Sequence, residues 1–264
     1  MKTKLFVISI LFSGIFSLRA NCQTASQKNS STPAFFRLTM KKGDKLANIY
    51  SRTIAFTSDD FAPVVFRVSG TSTYEVLDNN PLKPKFNETD LYDGRDPHTG
   101  LCEIGIDGKG NYEGHVFTNT SASGLMYSSL IWGPIPTKIK EGDSWQMDLT
   151  QPWELGGIGK QTVTVTAIDE RHNTITLKRE GSSEGYFDND LKQIEVTTKD
   201  TKKVKMNLTP GTSHWTGYTT FQNGIVLSDE LLVTRPVTLA TDSLHFTGNQ
   251  REYILLNAMP ADGL

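Results

Sequence analysis

Cysteine is scarce in this sequence: Cys22 and Cys102 are the only two among 264 residues. A chain of this size buries enough apolar surface to fold without cross-links, so a disulfide framework is excluded as the basis of its stability. Cys102, the one internal cysteine, reads as a small buried hydrophobe. Past the N-terminal segment, no apolar run approaches the length of a membrane-spanning helix. Helical periodicity is missing as well, and only short turns near 121–130 and 186–192 suggest helix. There is no basic excess: 27 basic residues stand against 29 acidic ones, a formal net charge of −2. That leaves no electrostatic footprint for nucleic acid.

Motifs of catalysis are also missing. The run Gly156-Gly157-Ile158-Gly159-Lys160-Gln161 has Glu154 and Gln161 where a phosphate-binding loop needs glycine and a hydroxyl residue. The glycines at 108, 110 and 114 lie between two strand-like runs, not between a strand and a helix as in a dinucleotide fingerprint. No Gly-x-Ser-x-Gly elbow is present. His98, His115, His172, His214 and His245 form no pair with zinc spacing, and the loop carrying Asp90, Asp93 and Asp96 lacks the EF-hand pattern. Asp229 and Glu230 are adjacent and therefore point to opposite faces of a strand, while Asp188 and Asp190 fall in a turn-like segment, so neither is a glycosidase pair. No catalytic residue, metal ligand or cofactor is assigned, and nothing in the sequence argues positively for an enzyme.

What is present begins with a targeting pattern. Lys2 and Lys4 precede an apolar or small run from Leu5 to Leu18, then Arg19, Ala20, Asn21 and Cys22. A basic start followed by an apolar stretch too short to span a bilayer reads as an export signal over residues 1–22. Cleavage after Cys22 leaves Gln23 first; cleavage before it leaves an N-terminal cysteine for lipidation, the one route to a membrane. Both readings stand. Loss of residues 1–22 takes Lys2, Lys4 and Arg19 from the 27 basic residues and none of the 29 acidic ones, giving a mature net charge of about −5. Residues 23–34 are small and polar, a tether, and 35–264 reads as one domain.

Within that domain the signal is alternation of period two. Val163, Val165 and Ala167 alternate with threonines, then Ile175 and Leu177 repeat the pattern after a turn at 169–173: a hairpin. Ile194 and Val196 pair with Val204, Met206 and Leu208 across Asp200-Thr201. Asn223-Gly224 suits the positive φ angles of a type I′ turn and joins His214–Gln222 to Ile225–Thr234. Further strands are expected at 34–42, 46–57, 63–77, 101–107, 111–118 and 244–256. The fold class is all-β: a large curved antiparallel sheet forming a barrel, half-barrel or sandwich, with few short helices.

The aromatics are clustered. Trp132, Trp145 and Trp153 lie in a stretch rich in proline and glycine, where Gly142-Asp143-Ser144-Trp145 reads as a turn launching a strand. On the strand 214–222, Trp215 and Phe221 share the core face, and His214 with Tyr218 the opposite one. The structural reading places all four tryptophans in a β core. The functional reading gathers Trp132, Trp153, Glu154, His214 and Tyr218 into a ligand groove.

The segment GPIPTKIKEGDSW (133–145) and the hairpin bearing Phe221, Gly224, Ser228, Asp229 and Glu230 resemble exported, uncharacterised β-sheet proteins of Gram-negative bacterial envelopes. That resemblance implies a location in the periplasm, at the outer membrane surface or outside the cell. Some such proteins are similar to lipoprotein carriers, from which this chain departs in lacking lid helices. The expectation is a non-enzymatic envelope protein holding an apolar or amphipathic ligand, or a protein partner, in the groove of a curved sheet. The alternatives are a carbohydrate-binding or carbohydrate-active protein using exposed tryptophans and paired carboxylates, and a structural protein without a ligand.

Overall fold

The computed structural model describes residues 32–151, 153–184 and 192–260. The expectations for the export signal, for Cys22 and most of the tether, for Asp188 and Asp190, and for a helical turn at 186–191 lie outside these residues. Fourteen antiparallel strands form one sheet. β1 (Lys45–Thr57) and β2 (Val64–Asp78) are long, and β3 (Lys85–Tyr92), β4 (His98–Ile104), β5 (Lys109–Tyr112) and β6 (His115–Thr118) step outward from them to one edge. The chain then crosses to the opposite edge through a short helix, α1 (Ser129–Trp132), and returns inward through β7 (Ser144–Leu149), β8 (Ile158–Asp169) and β9 (Thr174–Glu184).

A hairpin of β10 (Gln193–Thr197) and β11 (Lys203–Pro210) follows, and β12 (Ser213–Gln222), β13 (Ile225–Ala240) and β14 (His245–Pro260) fill the middle. β14 pairs with β1 along twelve register positions, from Leu46 opposite Pro260 to Thr57 opposite Asn249. The order is that of an up-and-down barrel left open between β6 and β7. The all-β class with a curved antiparallel sheet and little helix is what the alternation announced.

Alternation dictates the two faces. On β8, Gln161, Val163 and Val165 are buried, while Lys160 and Thr162 face away from the core. On β12, Trp215, Gly217, Thr219 and Phe221 face inward and His214, Thr216 and Tyr218 outward. The largest apolar cluster joins Val163, Leu177, Trp215, Phe221 and Leu231 to Tyr127, Ile131 and Trp132 of the crossing segment. The β core therefore extends from the sheet onto the chain that spans its gap.

Several strand boundaries differ from the pattern, each for a physical reason. Residues 34–42 form a short 3-10 turn, Ala34–Phe36, and an irregular stretch: Phe36 inserts edge-on against Phe221, and the backbone of Leu38 and Thr39 bonds to turns at Pro81 and Asn223. Residues 111–118 break into β5 and β6 at Glu113-Gly114, both with positive φ. Alternation does not predict β3, because its inward residues are Phe86, Glu88, Asp90 and Tyr92, whose mixed polarity hides the period. β13 runs straight through Pro236, which has no amide hydrogen to pair. Pro236 lies opposite the junction where β11 ends and β12 begins, so one side of the strand asks for no donor there.

Asn223 and Gly224 adopt φ of 54° and 87°, as the type I′ turn requires. A Cβ on Gly224 would stand 2.3 Å from the backbone of Arg37 and Leu38, whereas one on Gly114, also at positive φ, meets nothing within 4 Å. Gly114→Ala therefore costs only the backbone penalty, about 1 kcal/mol. Gly224→Ala costs at least about 2 kcal/mol more, because the N-terminal segment is pushed off its turn. Urea midpoints of the two variants measure the difference.

Candidate functional site

The inner face is closed by the segment 119–143, which carries the chain from one edge of the sheet to the other. Its backbone is caught by side chains from the sheet. The amide of Gln161 donates to the carbonyl of Ile131 at 2.7 Å, and the Trp145 indole to that of Trp132 at 2.8 Å. Arg179 donates to the carbonyl of Ala122 at 2.6 Å, and the amide of Ala122 donates to Glu154 at 2.7 Å. Val226 bonds back to Leu125 through the main chain.

Arg179 is fully buried, and its Nη2 meets both carboxylate oxygens of Asp229, at 3.0 and 2.8 Å. Asp229 also accepts from Thr219 and from Ser123 of the crossing segment. The guanidinium lies 4.7 Å over the Trp132 ring. On the neighbouring strands, Arg52 bridges Glu154 and Glu252. Burial works against the Arg52 charge, yet the two carboxylates outweigh it and hold the group well above its ordinary range.

This belt ends in a carboxylate pair on β3. Glu88 accepts hydrogen bonds from the Tyr74 hydroxyl and the Cys102 thiol, and Asp90 accepts one from Ser72. His98 stacks on Tyr112 and is bonded to its hydroxyl at 2.7 Å. Tyr92 lies over Gly70 and Tyr112 over Gly100, both positions where a Cβ would meet the ring. Burial, followed by the charge of Asp90, pushes Glu88 from its ordinary 4.5 up to about 7. Burial also pushes up Asp90 and the Cys102 thiol, which removes Cys102 as a nucleophile at neutral pH.

The opposite face of β7, β8, β9 and β12 carries an open groove of about 570 Å³. Register brings Asp148, Lys160, Ser182 and His214 into one row across the four strands. Gln146, Thr162 and Glu180 form the next row, and Glu180 is paired with Lys178 at 2.7 Å. That second row continues through Thr216 to Leu232 and Tyr253. Tyr218, Leu232 and Tyr253 are exposed by 48%, 42% and 39% and form a ring-and-leucine patch beside the polar groove, with Glu230 at its margin accepting from the Tyr253 hydroxyl at 2.8 Å.

The five residues singled out in the sequence thus separate. Trp132 and Trp153 are buried, Trp132 beneath Arg179 and Trp153 edge-on to Trp215 at 4.8 Å. Glu154 serves the ion pair with Arg52. His214 lines the outer groove and Tyr218 stands beside it, on the other side of the sheet. The groove partners that sequence reasoning missed, Asp148, Lys160 and Ser182, carry no motif. Their only signal is outward parity on three strands, which alternation alone could have supplied.

Three outcomes follow, two from the inner face and one from a surface ion pair. Arg179→Met leaves Asp229 buried without its cation and costs about 3–5 kcal/mol in urea unfolding, partly recovered by adding Asp229→Leu. Lys203→Ala, which removes an ion pair with Glu195 exposed on both sides, changes stability by less than about 0.5 kcal/mol. Glu88 gives a pH signature. Its folded-state value lies above its unfolded one, so the folded protein binds the proton more tightly and stability falls as pH rises from 4.5 to about 7, then levels off. Glu88→Gln abolishes that decline and is more stable than the parent above pH 7, as thermal unfolding at pH 4.5, 6 and 8 reads directly.

No protein-family model matches this sequence, and no curated protein matches it.

Proposed function

We propose that this is an exported, non-enzymatic binding protein whose ligand is amphipathic and lies on the outer face of the curved sheet. The polar part of the ligand occupies the groove across β7, β8, β9 and β12, and the apolar part rests on Tyr218, Leu232 and Tyr253. The observation that carries this reading is the direct adjacency of that groove to the exposed ring-and-leucine patch, two features that separately are ordinary on a sheet surface. On the inner face the crossing segment packs against the sheet, and the cavity beside Asp229 holds about 10 Å³. Export rests on the basic N-terminus and the apolar run from Leu5 to Leu18.

A glycan is the second reading. The hydroxyl, amide and charged side chains of the groove favour it, with Tyr218 as a ring platform. Trp132, Trp153 and Trp215 are buried and Trp145 is half-buried against the inner core cluster, so the groove does not use a tryptophan platform.

Native mass spectrometry of the mature protein taken from its own envelope, beside its denatured mass, tests the proposal. The expected result is a bound amphiphile lost on denaturation. Leu232→Lys lowers its occupancy at least tenfold, with stability changed by less than about 0.5 kcal/mol because the position is exposed. A bare mass, or a ligand unaffected by Leu232→Lys, overturns the reading; a bound sugar without an apolar part replaces it with the second.

A further inference from the structure

We propose that the ligand's polar part is an anionic head group, a carboxylate or a phosphate, seated over Ser182 between Lys160 and His214; this rests on the outer-face binding reading above. The argument begins with register. Ser182 has Lys160 directly opposite on one neighbouring strand and His214 on the other. Side chains directly opposite in antiparallel pairs have Cβ atoms about 4.5–5.5 Å apart, so one oxyanion above the Ser182 hydroxyl lies within reach of both nitrogen-bearing side chains.

The Lys160 ammonium is uncommitted. Lys160 forms no ion pair among the described residues, in contrast to Lys178, which Glu180 holds at 2.7 Å. An ammonium without a protein partner, beside an imidazole and a hydroxyl donor, is the donor set that recognises an oxyanion. The same row continues past His214 through Thr234 to exposed Arg251, a further cation on the same face. Beyond Lys160 the row ends at Asp148 on the sheet edge, and Glu180 stands in the next row.

These two carboxylates set the orientation. A negative head is repelled from the Asp148 end and held toward His214, on the side where Thr216 leads to Leu232 and Tyr253. From Ser182 to Leu232 the path crosses two strand spacings and one step of two residues, about 12 Å. A medium-length alkyl chain anchored at Ser182 reaches Leu232 and the Tyr253 ring, with Glu180 and the Tyr253-bound Glu230 flanking its path. A cationic or zwitterionic head gains nothing from Lys160, and a neutral sugar leaves that ammonium unpaired.

Titration calorimetry of the whole mature protein with sub-micellar decanoate, decyl phosphate and decyl maltoside tests the inference. Both anions are expected to bind at least tenfold more tightly than the maltoside. Lys160→Gln and His214→Gln each weaken the anions at least fivefold and leave the maltoside unchanged, and Asp148→Asn tightens the anions two- to threefold by removing a like charge. All three positions are on the surface face of the sheet, and circular dichroism verifies their folding. A preference for decanoate assigns a carboxylate and a preference for decyl phosphate assigns a phosphate; either supports the inference. Equal affinity for all three amphiphiles, lost in Leu232→Lys, overturns the anionic head but leaves the binding reading standing. Failure of all three to bind overturns both.

Discussion

Arg179 has no access to water, and the cost of removing its charge from solvent governs how the two ends of the sheet are joined. A buried guanidinium is costly unless its charge is paired and its donors are met, and here both terminal nitrogens are met while Nε has no partner. Asp229 on β13 supplies the counter-charge, the carbonyl of Ala122 takes a further donor, and the face of Trp132 covers the plane. Two of those three partners belong to the segment that bridges β6 and β7. An up-and-down sheet that fails to close leaves two edges and an open interior. Here the same ionic centre that would be intolerable alone pins a stretch of irregular chain across the opening, and the bridge supplies the apolar bulk that a closed barrel would have drawn from further strands.

The consequence for function is a division of labour between faces. Polar groups facing inward, Gln161, Thr219, Glu154, Arg52 and Glu252 among them, hold the bridge and one another. Their carboxylates and amides are spent within the fold. On the outer face, the Lys160 and His214 side chains make no ion pair or hydrogen bond among the described residues, and Tyr218, Leu232 and Tyr253 beside them are exposed. The concave side, where curvature alone suggests a groove, is packed with the chain's own crossing segment among the described residues. Room and unspent hydrogen-bonding capacity occur together across β7, β8, β9 and β12.

Much of the sheet was legible because alternation and turn chemistry are local. The hairpins at 162–177 and 214–234 follow from periods of two and from Asn223-Gly224, and the assignment of Trp215 and Phe221 to one face and His214 and Tyr218 to the other needed only parity. β3 escaped because its inward residues include Glu88 and Asp90, which belong to a polar belt and erase the apolar signal. The end of β13 escaped because Pro236 forbids pairing in general but not at the one place where the partner strand is interrupted. The candidate site was half legible. Parity puts His214 and Tyr218 on the outer face, as observed, whereas Trp132, Trp153 and Glu154, which the aromatic-groove reading joins to them, serve the inner one.

The sequence by itself determined the all-β class, the hairpins and which side chains share a strand face, since each depends on residues a few positions apart. It also contains the basic and apolar pattern on which the expectation of export rests. Only the tertiary structure decided that β14 returns to pair with β1, that the segment 119–143 occupies the interior, and that Asp148, Lys160, Ser182 and His214 align in one row. Those residues come from strands separated by up to sixty-six positions of chain. Their alignment depends on register across non-sequential neighbours, and register is set by the fit of the whole inner face against its bridge.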